Sequence, residues 1–567
     1  MGSHLNNPGP GPWGWLSQGW SYGLVALSSL SCILTPTPGR AASEILISYG
    51  AFERSVAIAD LEQFAQTGEL SPQLQSYNRQ LQWSEDQINQ VRQVLVTPAQ
   101  NLDVVAVSQF LYTEQGEILL QELTRVVQAP VRQASFSALR AALILAASGN
   151  PHGFTLLHVL RSYPLQTIRI DLVGGLAIAQ EVNQAILQSG HAVARVKAIA
   201  QQETEASPLS PAVFRSLQQM IQADHRYSVK QLDLAVPGVS KPATLFLPEA
   251  KAEARVPRSG FPVVIISHGL GGSRHSYSYL AQDLAATGMV VVTLEHSGSN
   301  GQQLDNLLKG RTDSIVPNTE FLRRPEDVSL TITALAQASR NGSELRGRLN
   351  MQQVGVIGQS FGGYTALALA GASFDQTGLT QSCPANQITF NPSLLLQCQV
   401  IHLDSLGYNL TDPRIKAIFI INPIGSVLFG RSGYGNITIP VTIVASAIDT
   451  IAPAFPEQIQ PFTWLTTPNR YLLLMERGTH FSGIGDGDMG GSDQSLAIPS
   501  NIIGPRPDLA RNYIKLFAQA FFKLTLGGDE RFRPVLQASF AQQLADASFP
   551  LSLTTSLSPR ALGDRTK

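Results

Sequence analysis

Gly358-Gln359-Ser360-Phe361-Gly362-Gly363 follows a short apolar run, Val354 to Ile357, and leads into a helix-forming run, Tyr364 to Ala370. A serine at such a strand-to-helix turn is held in a strained backbone conformation, and its hydroxyl is presented at the helix N-terminus. The flanking Gly358 and Gly362 let strand and helix approach each other. Ser360 is therefore the candidate nucleophile, with Gly358, Gln359 and Gly362 forming its elbow.

A serine hydroxyl is a weak nucleophile at neutral pH, so it needs a histidine base, and the histidine needs an acid to fix its tautomer. Two histidines follow Ser360 in the chain, His402 and His480. His402 precedes the strand run that should bear the acid, whereas His480 begins the loop after the apolar run Tyr471 to Met475. His480 is the preferred base. For the acid, Asp449 stands just past the run Val441 to Ala445 and 31 residues before His480, enough for one helix and one strand. Asp404 and Asp412 are the alternatives, both placed before the run Ala417 to Ile421. Charge that develops on an acyl oxygen needs two waiting N–H donors. Phe361, next after the nucleophile, supplies one, and the loop His268-Gly269-Leu270-Gly271-Gly272 supplies the other, with Leu270 the best candidate. His268 reads as a lining or structural residue rather than a second base.

These residues need a scaffold that brings distant loops to one edge. After about Ser228 the chain alternates short apolar runs (Pro242 to Leu247, Val263 to Ser267, Met289 to Leu294, and the four named above) with helical patterns. That alternation specifies a mainly parallel sheet covered by helices on both faces, with ligands outside the carboxyl ends of the strands. The fold class is α/β, preceded by a mostly helical domain over 43–225; the sheet domain runs over 228–567 and ends in a helical tail. Within the first domain, Ser43 to about Ala59 reads as a hairpin. Ser84 and Gln87 form a capping box ahead of Ile88, Val91 and Leu95. Leu119, Leu123 and Val126 share a helix face, as do Leu139, Leu143 and Ala146, and a long helix begins at Leu172 with Leu176, Val182 and Ile186. Residues 1–42 read as an export signal, with a retained membrane anchor as the second reading.

With 40 basic and 41 acidic residues the formal charge is −1, which provides no field for nucleic acid. Three cysteines exclude a disulfide-dense scaffold and a four-cysteine zinc site. No phosphate-cradling loop with a following Lys-Ser/Thr occurs, so nucleotide-dependent chemistry has no support. Asp486-Gly487-Asp488 lacks the further ligands of a calcium loop. No metal and no cofactor are expected. Cys383 and Cys398, 15 residues apart, are expected to form a disulfide in an oxidising compartment.

His268-Gly269-Leu270-Gly271, Leu294-Glu295-His296-Ser297-Gly298-Ser299, Arg324-Pro325-Glu326-Asp327-Val328 and the elbow together resemble the platelet-activating-factor acetylhydrolase branch of the α/β-hydrolases. The segments around Asp449 and His480 are similar to the acid and base loops of polyester hydrolases and dienelactone-hydrolase-like enzymes. The resemblance covers about 228–526 and implies the roles already given to Ser360, Asp449, His480, Leu270 and Phe361; Gln359 stands where many relatives have histidine. The stretch with Ile47-Ser48-Tyr49-Gly50 and Val107-Ser108-Gln109-Phe110 looks like a helical domain of unknown function fused ahead of such hydrolases in bacteria. The expected activity is cleavage of a small carboxylic ester through an acyl-serine intermediate. Because the loops Gly298 to Thr319 and Ser482 to Pro505 are rich in small polar residues, short acyl groups are expected, as in acetylated phospholipid or a polyester fragment. A peptidase or acyltransferase on the same triad, or a catalytically silent envelope protein, are the alternatives; contact with a membrane surface or lipid is compatible with either.

Overall fold

The computed structural model describes residues 41–49, 52–98, 104–129, 135–148, 154–250, 255–341, 344–383, 391–485 and 500–563. Residues 1–40, which carry the expected export signal, and the Asp486-Gly487-Asp488 segment lie outside the described residues. So does the tip of the first hairpin.

The first part of the chain builds a four-stranded sheet in the order β2-β1-β4-β3. The hairpin is β1 (Glu44–Tyr49) with β2 (Phe52–Ala57), antiparallel as its alternation requires. Strands β3 (Val127–Gln128) and β4 (Thr167–Asp171) are additions to what the helical pattern announces, and β4 lies parallel to β1. Helices cover this sheet around a core of Ile45, Ile58, Leu111, Leu120, Leu139, Ala142 and Tyr163. The capping box at Ser84 forms as expected, with the Ser84 hydroxyl accepting from Gln87 N–H and the Gln87 side chain accepting from Ser84 N–H. In the helix Glu114–Leu123 it is Leu120 that is buried, while Leu119 and Leu123 are over a third exposed and Val126 falls beyond the helix end. The run Ile118-Leu119-Leu120 is apolar on consecutive positions, so its spacing does not select one face.

The helix Leu172–Ala206 then leaves that core. Ala192, Val196 and Ile199 near its end pack into the core of the second sheet, and Leu217 and Ile221 of the helix Pro211–Ala223 pack on the opposite face.

The second sheet has nine strands: β5 (Tyr227–Leu234), β6 (Ala243–Ala250), β7 (Phe261–Ser267), β8 (Val290–Thr293), β9 (Leu349–Gln359), β10 (Ile415–Ile421), β11 (Val441–Ser446), β12 (Arg470–Met475) and β13 (Leu551–Thr554). Their order is β13-β12-β11-β10-β9-β7-β8-β6-β5, parallel from β8 to β12 and antiparallel at both edges. Successive residues of one strand enter different cores. Val263 and Ile265 face one layer while Val264 and Ile266 face the other, which is why the sequence of β7 is apolar without interruption. Strand order reverses at β7, so β8 lies on one side of it and β9 on the other. The crevice outside that reversal is where such sheets place ligands.

Cys383 and Cys398 are bonded. Replacing both by serine is expected to remove roughly 3 kcal/mol of stability on the loop-entropy model. A denaturant midpoint unchanged from the parent would show that the loop imposes no constraint on the unfolded chain.

Candidate active site

Ser360 caps the helix Phe361–Leu369 with φ 55° and ψ −116°. A non-glycine residue there is strained by about 1–3 kcal/mol and must be held by its surroundings. Its N–H donates to Ile421 O at 3.0 Å, and its carbonyl accepts from Tyr364 N–H at 3.2 Å. A side chain at residue 358 would collide with the Gly362 carbonyl, and one at 362 with the Ser267 carbonyl. The glycines of the elbow are thus required by packing.

Asp449 follows β11 and His480 follows β12, so both stand at the carboxyl edge with Ser360. His480 Nδ1–H donates to Asp449 Oδ2 at 2.8 Å, and both side chains are buried. The carboxylate also accepts from Ile451 N–H (2.9 Å) and Ala452 N–H (2.7 Å) at Oδ1, and from Gln458 Nε2 (3.0 Å) at Oδ2. Four donors fix its orientation. With Nδ1 committed, Nε2 of His480 is the nitrogen available to a serine proton; Ser360 and His480 do not hydrogen-bond directly here. The alternatives fare differently. Asp412 is engaged by Arg414 and the Ser329 hydroxyl, and Asp404 and His402 are exposed on the surface.

The backbone of His480 is held by two residues. Asn422 Nδ2 donates to the His480 carbonyl at 3.1 Å and to the Thr479 carbonyl at 3.2 Å, and Gln359 Nε2 donates to His480 O at 3.4 Å. Asn422, buried and at φ 44° just after β10, was not singled out in the sequence. Its position at a strand's carboxyl end was the available signal. Gln458 was missed also, as was the buried Glu457, whose carboxylate accepts from Gly425 N–H, Ser426 N–H and the Ser426 hydroxyl.

Gly269 lies against Ser360, since a methyl group there would sit 3.2 Å from Ser360 Cβ. In the same turn Gly271 N–H donates to Ser299 O and Gly272 N–H to Gly269 O. Among the described residues, the N–H groups of Leu270 and Phe361 have no protein acceptor. His268 is fully buried. Its Nε2 accepts the His296 N–H at 3.0 Å, which leaves Nδ1–H to donate to Gly269 O at 2.7 Å. Burial, helped by the Arg324 charge and by His296, pushes its pKa well below the ordinary value, so it is neutral and structural.

Comparison with known families fits this architecture. Residues 240–324, which span β7, the His268 turn and the start of the helix Glu320–Ala338, match the family model "Platelet-activating factor acetylhydrolase, isoform II". Residues 41–171 match "Alpha/beta hydrolase of unknown function (DUF1400)". The chain has the α/β-hydrolase fold and is similar to both families. Among curated proteins, the chain is 24% identical over 138 residues to platelet-activating factor acetylhydrolase of Canis lupus familiaris and 22% identical over 138 residues to that of Bos taurus. Each match covers 19% of the chain and 31% of the relative. The chain therefore spans about a third of the length of these relatives. Among the described residues, no group of three His, Cys, Asp or Glu side chains is arranged to hold a metal ion, and no helix is long and apolar enough to cross a membrane.

Proposed function

We propose that the protein hydrolyses small carboxylic esters through an acyl-Ser360 intermediate. The observation that carries this reading is the buried Asp449–His480 pair at the same sheet edge as a strained serine. Ser360 Oγ attacks the ester carbonyl while His480 Nε2 takes its proton, and the carbonyl oxygen becomes an oxyanion facing the Leu270 and Phe361 N–H groups. The tetrahedral intermediate collapses, the C–O bond to the alcohol breaks, and His480 returns the proton to the leaving alkoxide. His480 then takes a proton from water, whose oxygen attacks the acyl carbon, and the acid leaves as Ser360 regains its proton. Asp449 keeps Nδ1 protonated and stabilises the imidazolium at each stage. The test is labelling with a fluorophosphonate, followed by peptide mapping. Attachment at Ser360 in the parent and none in Ser360→Ala is expected; a labelled residue elsewhere would sink the reading.

The substrate is proposed to carry a short acyl group, as an acetylated phospholipid does. Selectivity for long chains requires an extended apolar tunnel, because each buried methylene contributes only about 0.8 kcal/mol. The loop after β8 contains a short helix, Gly301–Leu308, which contacts the helix Val104–Leu111 of the first part of the chain. Leu304 of this helix borders Gly271 in the turn after β7, and so short an element beside that turn supports a small site. On the full chain, nitrophenyl esters from acetyl to hexanoyl are expected to have kcat/KM at least about tenfold above palmitoyl, a gap of about 1.4 kcal/mol. A steady rise towards palmitoyl would reverse the assignment. Truncation at Ser228 is no substitute, since it strips Ala192, Val196, Ile199, Leu217 and Ile221 from the two cores. The disulfide supports export to an oxidising compartment, where such bonds persist.

A further inference from the structure

Beneath the nucleophile elbow lies a charged residue that the catalytic reading leaves unused. Arg324, in the helix Glu320–Ala338, is fully buried. Its Nε donates to the Thr365 hydroxyl at 3.1 Å, on the helix that begins at the elbow. Nη1 donates to the Ser299 hydroxyl at 2.6 Å; Nη2 donates to the Ser267 hydroxyl at 3.2 Å and to the His268 carbonyl. The guanidinium carbon sits 4.5 Å from the centre of the Phe361 ring. One side chain therefore touches Phe361, which carries one candidate donor, and His268, two residues before the other.

Glu320 is kept one hydroxyl away from Arg324, and Asp327 a hydroxyl and an imidazole away. The Ser299 hydroxyl donates to Glu320 Oε2 at 2.6 Å; the Ser267 hydroxyl donates to His296 Nε2 at 2.9 Å, and His296 Nδ1–H donates to Asp327 Oδ2 at 2.9 Å. Ser267, His296 and Asp327 repeat the chemistry of a catalytic triad, yet all three are buried under the elbow, so their role is to orient Arg324. Burial lowers the Arg324 pKa to about 10, which keeps it cationic through neutral pH, and raises that of Asp327 to about 6. Burial, then the Arg324 charge, hold His296 well below its ordinary value, so it passes no net charge along the relay.

We propose that Arg324 is the positioning residue of the oxyanion hole, fixing both donors and adding a permanent positive charge behind them. This rests on the ester-hydrolase reading. The geometry on one side runs through a peptide plane. A trans peptide points its N–H opposite to its C=O. The Gly269 carbonyl is held by His268 Nδ1–H and Gly272 N–H, so the Leu270 N–H of the same plane is aimed the other way. Arg324 secures the turn by binding the carbonyl of His268. On the other side its stacking on Phe361, together with the bond to Thr365, sets the first turn of the elbow helix. A cation in a water-excluded site acts on a developing anion far more strongly than in water.

The experiment uses the full chain and a trifluoromethyl ketone labelled with 13C at the carbonyl, whose adduct with Ser360 is a hemiketal that ionises to an oxyanion. Its 13C shift, followed against pH, reads the oxyanion hole directly. Arg324→Lys keeps a cation but cannot reach Thr365, Ser299, Ser267 and His268 together; the hemiketal is expected to ionise about one to two pH units higher, with kcat for a short ester about 10- to 100-fold lower and KM within about twofold. Arg324→Met should move further in the same direction. A paired Thr365→Val and Ser299→Ala variant removes two anchors and leaves the charge, and should give a smaller shift of the same sign if the Arg324 variants do not fold. Folded variants whose hemiketal titrates as the parent does would overturn this proposal alone. Absence of an adduct in the parent would instead overturn the ester-hydrolase reading.

Discussion

Full-length Ser360→Ala and His480→Ala variants are each expected to turn over nitrophenyl acetate on the order of 10⁶-fold more slowly than the parent, and the double variant little more slowly than either. The near-equality follows from the chemistry. Without the hydroxyl there is no acyl-enzyme, and the imidazole has no serine proton to accept. Without the imidazole, the serine stays protonated and is a weak nucleophile. Either deletion leaves the Leu270 and Phe361 donors and the binding surface, which retain a residual acceleration of about 10³-fold over water. The measurement is initial-rate kinetics on variants shown to be folded by thermal denaturation, with the spontaneous hydrolysis rate subtracted. A folded Ser360→Ala variant that keeps a tenth of the parent rate would mean that another nucleophile does the work. If the two single variants were modest and the double variant severe, Ser360 and His480 would be acting independently, which the acyl-serine route does not allow.

The strands that carry these residues were readable because burial on two faces leaves no polar positions. β7, β9, β10, β11 and β12 each contain an apolar run, and each is shielded by both cores. The edges were not readable on the same grounds. β5 has one solvated face and alternates, as in Ser228-Val229-Lys230-Gln231, and β13 has only four residues. Ser360, Asp449 and His480 stood out because each directly follows a buried strand, where the chain order of the fold assigns a nucleophile, an acid and a base. The residues that hold them in place were hidden for a different reason. Asn422 meets His480 from 58 positions away, and Arg324 meets His268 from 56. No local period or motif encodes such a contact; it arises only when strand order brings loops together. Leu119 and Leu123 illustrate the converse, where a local pattern named a helix correctly and chose the wrong face, because three consecutive apolar residues permit either.

Asp449→Asn should reduce turnover by about 10⁴-fold with the fold intact, and the cause is tautomeric rather than steric. The present carboxylate accepts four hydrogen bonds, two at Oδ1 from Ile451 and Ala452 N–H and two at Oδ2 from Gln458 Nε2 and His480 Nδ1. An asparagine would keep its oxygen on the two backbone donors, because leaving buried N–H groups unpaired costs about 1–3 kcal/mol each. Its NH₂ would then face Gln458 and His480. Gln458 has little freedom to turn over in response, for its Oε1 accepts the Ser446 N–H at 2.9 Å and its Nε2 also donates to Ala452 O. The imidazole is the group that yields: Nδ1 gives up its proton to become an acceptor, and the proton moves to Nε2. His480 then presents N–H where it should present a lone pair, so it cannot receive the Ser360 proton. Activity should recover in part at high pH, where hydroxide or the ionised serine no longer needs a base. A two-nitrogen 15N NMR experiment on the imidazole separates the tautomers, with Nε2 protonated in the variant and Nδ1 in the parent at neutral pH. A folded Asp449→Asn protein with the parental tautomer and near-parental rate would return the acid role to another carboxylate and leave Asp449 as a loop anchor.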